Sequence, residues 1–135
     1  MINKYYYSIS IDRIIDGDTL DAIFDLGFNL KYKVRVRLKD IDTPETYRAT
    51  SATELDYGTK MKDYLSSLLA THKGKLTCLS ANIDLYGRSE GTIFAETALN
   101  TRINLNEECA KYMLANKLSK QDVKDVVALK QPTNP

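Results

Sequence analysis

Leu30-Lys31-Tyr32-Lys33-Val34-Arg35-Val36-Arg37-Leu38-Lys39 alternates apolar and polar residues along its second half. Val34, Val36 and Leu38 fall on one side and Arg35, Arg37 and Lys39 on the other, the period-two signature of a half-buried strand. Working back, Leu20 to Leu26 reads as a second strand after the Asp16-Gly17 turn. Tyr6 to Ile15 reads as a first, with Ile9 and Ile11 set against Ser8, Ser10 and Asp12. Asp16-Gly17 and Leu26-Gly27 serve as hairpin connections, so the first forty residues predict a β-meander.

Working forward, residues 46–56 are polar and irregular, and Pro44 opposes an immediate helix. An amphipathic helix is predicted from about Tyr57 to His72. Met61, Tyr64, Leu65, Leu68 and Leu69 share one face, and Gly74 closes the segment. Two strands follow, Lys75 to Asn82 and Glu90 to Glu96, joined by a turn containing Tyr86-Gly87-Arg88. Asn104 with Glu107, and Ser119 with Asp122, are capping pairs for two last helices, the second running to about Lys130. Residues 131–135 are expected to fray. Five strands with a helix after the third predict a small barrel whose interior is filled by side chains, so ligands belong on its outer surface or between its loops.

Composition narrows the chemistry. The chain has 135 residues, 43% hydrophobic and 27% charged, enough for one domain over 1–135 with its core at about 6–130. No apolar run approaches the roughly 20 residues of a membrane span, so no membrane partner is expected. Met1 to Tyr7 carries one lysine with no apolar stretch behind it. This predicts a cytoplasmic protein, or a secreted one if a leader has been removed. Cys78 and Cys109 read as buried free thiols. A single histidine, His72, rules against a zinc site of His/Cys type and leaves oxygen ligands and a hard cation. With 19 basic and 18 acidic residues the net charge is +1, so nucleic-acid binding is not advertised by global charge.

Three clusters can carry chemistry. Asp16-Gly17-Asp18-Thr19 on its own is a hairpin turn. Its other reading is a carboxylate from Asp18 for a hard cation, with Asp16 supporting from behind. Arg37 to Glu45 on its own is a strand running into the turn Asp42-Thr43-Pro44-Glu45. In a meander, however, the end of the third strand lies beside the start of the second, bringing Asp18 and Asp42 within reach of one ion. Adjacent carboxylates repel unless a proton or cation sits between them. Tyr86-Gly87-Arg88 on its own is a β-turn; otherwise Arg88 is a second guanidinium and Tyr86 a hydrogen-bond donor to phosphate or a stacking surface. Phosphodiester hydrolysis uses such parts: a cation on the phosphate, a carboxylate such as Glu45 on water, and guanidiniums matched to developing negative charge.

The ordered set Asp18-Thr19, Arg37, Asp42-Thr43-Pro44-Glu45 and Tyr86-Gly87-Arg88 resembles the signature of the staphylococcal nuclease (thermonuclease) family. Tyr57-Gly58 and Asn106-Glu107 agree with it, and the resemblance runs over about residues 6–130. It implies an α+β, mainly β fold: a five-stranded OB-fold β-barrel with three α-helices. It implies one calcium ion held by Asp18, Asp42 and the carbonyl of Thr43, with Glu45 acting on the attacking water. Arg37 and Arg88 would bind the scissile phosphate and Tyr86 would lie near a phosphate. The implied activity is a low-specificity nuclease on DNA and/or RNA that leaves 3′-phosphate ends, with a monomer expected. The alternative is a weak or inactive domain serving as a nucleic-acid or protein-binding module.

The chain departs from the family pattern in its substrate-holding residues. Leu85 stands where the best-known member has a phosphate-binding lysine. Leu118, Ser119, Lys120 and Gln121 stand where it places tyrosines. Intact chemistry with weakened nucleotide affinity is therefore expected. Arg48, Lys60 and Lys39 are candidates to compensate, with a solvated surface charge the plainer reading for each.

Overall fold

The structure is a computed structural model that describes residues 5–83, 89–97 and 101–130. It contains β1 (Tyr6–Asp16), β2 (Thr19–Gly27), β3 (Leu30–Leu38), α1 (Ala52–Thr71), β4 (Leu76–Ile83), β5 (Ser89–Glu96), β6 (Arg102–Asn104), α2 (Leu105–Ala115) and α3 (Lys120–Lys130). Strands run in the order β3-β2-β1-β4-β5-β6, and β3 also pairs with β5, closing a five-stranded barrel. All neighbours are antiparallel except the closing pair, where Val36, Arg37 and Leu38 lie parallel to Ser89, Glu90 and Gly91. The architecture is the expected α+β, mainly β barrel with helices.

The alternation in β3 behaves as its pattern requires: Val36 and Leu38 are buried, and Arg35 and Arg37 face outward. Leu20, Ala22 and Phe24 of β2 and Ile93 and Ala95 of β5 fill the same interior. Cys78 and Cys109 are fully buried free thiols within it, as expected. Among the described residues no helix is long and apolar enough to cross a membrane.

Several boundaries differ from expectation for local reasons. The turn between β1 and β2 is centred on Gly17-Asp18 rather than Asp16-Gly17, so Asp18 sits in the turn itself. The β2–β3 turn is Phe28-Asn29, both with positive φ, as a tight two-residue hairpin demands. Helix α1 begins at Ala52, not near Tyr57. The Ser51 hydroxyl accepts from the Glu54 amide at 3.0 Å, and Glu54 Oε1 accepts from the Thr50 amide at 2.6 Å. These two bonds satisfy amide groups at the helix start that would otherwise be unpaired, which pulls the start five residues back. The short strand β6 was not expected; three residues are too few to show a period. The Asn104 cap is present, accepting from Glu107 at 3.1 Å. Ser119 and Asp122 bond each other reciprocally at the start of α3.

Helix α1 lies under the loops at one end of the barrel, and two glycines let it come close. A Cβ at Gly17 would stand 2.7 Å from Met61 Cβ, and one at Gly58 would stand 2.7 Å from the carbonyl oxygen of Pro44 and 2.8 Å from that of Glu45. Met61, Leu65 and Leu69 carry the other side of this contact into the core. From α2, buried Asn106 donates to the carbonyls of Lys39 (3.1 Å) and Gly91 (3.0 Å) and accepts from the amide of Ile93 (3.0 Å). It therefore pins the end of β3, just before the left-handed residue Asp40 from which the 40–46 loop departs.

Candidate active site

Pairing of β2 with β3 sets the geometry. Thr19 lies opposite Arg37, and Leu38 donates to the Asp18 carbonyl at 2.8 Å. The start of one strand and the end of the other are thus neighbours, and the loop leaving β3 folds back over the Gly17-Asp18 turn. A cavity of about 670 Å³ opens there, with Asp16, Asp18, Asp42 and Glu45 on its wall beside Arg37 and Lys120.

Each acid is held differently. Asp18 is nearly buried. Its Oδ2 forms an ion pair with Arg37 Nη1 at 2.8 Å and accepts from the Thr43 amide (3.0 Å), and its Oδ1 accepts from the Thr19 hydroxyl (2.9 Å). Asp42 is largely exposed. Its Oδ1 meets Lys120 Nζ at 2.7 Å and Arg37 Nη2 at 3.4 Å. One guanidinium therefore touches both aspartates, while also donating to the Ile41 carbonyl at 2.8 Å. Asp16 is buried and accepts from the Thr46 amide at 3.0 Å and from the Thr46 hydroxyl. It ties the turn to the far end of the 40–46 loop.

Glu45 is the electrostatically strained member. Burial pushes its carboxyl above the usual range, and contact with the Asp16 carboxyl and the charge of Asp18 push it further; Lys120 partly offsets them. For Lys120, burial opposes the charge, but the bond to Asp42 and the fields of Asp42, Glu45 and Asp18 outweigh it and raise the pKa.

These donors fit a hard cation. They are all oxygen, and two carboxyls in contact ask for a proton or a positive charge between them. The buried Thr43 hydroxyl oxygen has no hydrogen-bond partner among the described residues, and it faces the Gly17 turn beside Asp18. No three His, Cys, Asp or Glu side chains converge into a cage among the described residues. A cation would accordingly complete its shell with backbone carbonyl oxygen and water, as calcium does.

The structure thus brings together Asp16, Asp18, Arg37, Asp42, Thr43 and Glu45. Tyr86, Arg88 and Leu85 lie outside the described residues. A model of the family described as "Staphylococcal nuclease homologue" matches residues 35–131, most of the chain. The chain belongs to that family. It is 32% identical over 83 residues to "Micrococcal nuclease" of Shigella flexneri, covering 62% of this chain and 40% of that protein. It is 34% identical over 90 residues to "Protein ParB" of Escherichia coli, covering 67% of this chain and 43% of that protein. The matched part is less than half the length of either curated relative.

Within this family member, the positions where tyrosines were missed divide in two. Leu118 is buried in the core, whereas Lys120 reaches into the acidic cluster. Of the compensating candidates, Arg48 lines the cavity; Lys60 pairs with Asp56 at 3.2 Å on α1, and Lys39 is exposed. Sequence reasoning did not single out Arg13, Arg35 or Tyr47 as cavity residues or Thr46 as the partner of Asp16, and it gave Lys120 no ionic role. Arg13 and Arg35 could have been found by extending the outward face of β1 and β3; Lys120 and Tyr47 lie close to motifs whose pattern gives neither of them a role.

Proposed function

We propose that the chain is a calcium-dependent nuclease that hydrolyses phosphodiester bonds of DNA and/or RNA with low sequence specificity, giving 3′-phosphate ends. The observation that carries this reading is the Arg37 guanidinium held between Asp18 and Asp42 in a cavity that Asp16 and Glu45 also line. In the proposal Asp18, Asp42 and the Thr43 carbonyl hold one calcium ion. When bound, the ion supplies positive charge to the phosphate and to the carboxylate cluster. Glu45 takes the proton of the attacking water; a carboxyl with a raised pKa is a better base at neutral pH than an ordinary one. Arg37, oriented by Asp18 and the Ile41 carbonyl, offers its remaining donors to the phosphate oxygens as negative charge develops. Arg88 takes the second guanidinium role and Tyr86 a phosphate contact, on the family resemblance.

A specific observation favours a second reading, a nucleic-acid or protein-binding module without turnover. Arg37 and Lys120 already neutralise Asp18 and Asp42 from within the chain. A gel assay separates the two. Single-stranded DNA with calcium should be cut to short products with 3′-phosphate ends, and EDTA should stop the reaction. DNA that is bound yet uncut, whatever ion is supplied, would select the binding module. Cleavage as fast in magnesium as in calcium would overturn the calcium assignment, because magnesium demands a rigid octahedral shell.

A further inference from the structure

Beyond the acids, the same cavity carries a cationic wall that the catalytic set does not use. Strand pairing puts Arg13 of β1 opposite Asp21 of β2, and Asp21 opposite Arg35 of β3, so the three form one rung across the barrel's outer face. Arg35 grips Asp21 with two bonds, Nε to Oδ1 at 2.9 Å and Nη2 to Oδ2 at 3.2 Å. The fork is thereby held in place, while its Nη1 makes no hydrogen bond among the described residues. Arg13 and Lys33 also act on Asp21 through charge. One carboxylate thus serves two guanidiniums, leaving an excess of positive charge on the rung. Both arginines line the cavity.

We infer that Arg35 and Arg13 form a subsite for the phosphates next to the scissile one on a single-stranded polynucleotide, an inference that rests on the nuclease reading above. Arg35 and Arg37 are two residues apart on one face of β3, about 6.7 Å along the strand. That is the scale on which consecutive phosphates repeat along an extended single strand, so a chain held at Arg37 lays its neighbouring phosphate on Arg35. Arg13, two strands away on the same rung, widens the cationic surface sideways from Arg35. The cavity is also lined by Tyr47, 82% exposed, and by Arg48, also exposed. A large aromatic ring left in solvent at the mouth of a cationic groove provides a platform on which a base can stack, and a groove with such rings is the common design for binding single strands. A mere surface ion pair accounts for Arg35 with Asp21, but neither for the second arginine nor for the ring.

Steady-state cleavage of two single-stranded substrates in calcium tests this: an octamer of thymidylate, and the dinucleotide dTpdT, which has one phosphate. Arg35→Gln should raise KM on the octamer about tenfold, and at least fivefold more than on dTpdT. The salt dependence of kcat/KM on the octamer should become shallower by about 0.7 in log–log slope. Arg13→Gln, which leaves the two-bond pair intact, should act in the same direction, and melting curves of both variants confirm that they are folded. Equal losses on both substrates, or an octamer KM within twofold of wild type for both folded variants, would overturn the subsite while leaving the nuclease reading in place. A wild-type protein that cuts neither substrate overturns the nuclease reading, and the subsite with it.

Discussion

Lys120 Nζ lies 2.7 Å from Asp42 Oδ1 and 3.9 Å from Glu45 Oε1, so an ammonium carried by α3 stands inside the acidic cluster built by the β1–β2 turn and the 40–46 loop. A tethered cation competes with a divalent one for the same carboxylates. Two unit charges about 4 Å apart in water-like surroundings interact by about 1 kcal/mol, roughly a fivefold effect on affinity. Lys120→Met is therefore expected to tighten calcium binding several-fold in a calorimetric titration. Unchanged or weaker binding in the folded variant would show that Lys120 is not a competitor.

Glu45→Gln should reduce turnover by about 10²–10⁴-fold, the usual contribution of a positioned acid or base. The same change should affect metal-free stability in a pH-dependent way. The folded pKa of Glu45 lies above its ordinary value of 4.5, so the folded chain holds that proton more tightly than the unfolded chain does. Its stabilising effect is complete below 4.5 and is lost as pH rises through the raised value. In calcium-free buffer the melting midpoint of Glu45→Gln should accordingly gain on wild type as pH climbs from 4.5 to 7. A constant difference across that window would mean that Glu45 is not strained.

Gly58→Ala sets two effects against each other. Alanine gains about 1 kcal/mol of helix propensity over glycine. The new Cβ would meet the carbonyl oxygens of Pro44 at 2.7 Å and Glu45 at 2.8 Å, and those are backbone atoms that yield only if the loop moves. Overpacking of this kind costs about 1–3 kcal/mol, so the strain should win. Urea unfolding is expected to show a net loss of stability, and activity should fall further than stability explains because Glu45 shifts with its loop. A stabilised, fully active variant would mean that the helix–loop contact does not hold Glu45.

The cysteines should be silent in the folded state. Both are fully buried, and burial pushes each thiol up to about 12, with Glu108 adding to the effect on Cys109. Thiolate is the reactive form. A colourimetric thiol reagent at pH 8 should therefore titrate no cysteine in the native protein and two after denaturation. Rapid reaction of either in the native protein would contradict the packing of the core around β4 and α2.

Much of this molecule was legible before any coordinates. Period-two alternation located β3 and gave its inward face, because a half-buried strand must segregate its side chains. The paired motifs around Asp18 and Asp42 pointed to one site once the meander was accepted, because antiparallel pairing forces the start of β2 beside the end of β3. The α1 boundary was missed since the Ser51–Glu54 cap sits in a polar stretch whose apolar period begins only later. The β6 strand is too short to have a period at all.

What the sequence determined by itself was the β1–β3 meander, its inward faces and the acids at its end, since these follow from local pattern and short-range connection. What tertiary structure alone decided was the company those acids keep: Arg37 bridging Asp18 and Asp42, Glu45 pressed against Asp16, Lys120 inserted from α3, and Arg13 and Arg35 sharing Asp21. Such partnerships join residues from 5 positions apart (Arg37 and Asp42) to 78 apart (Lys120 and Asp42). They depend on how whole elements pack, and no neighbour along the chain encodes them.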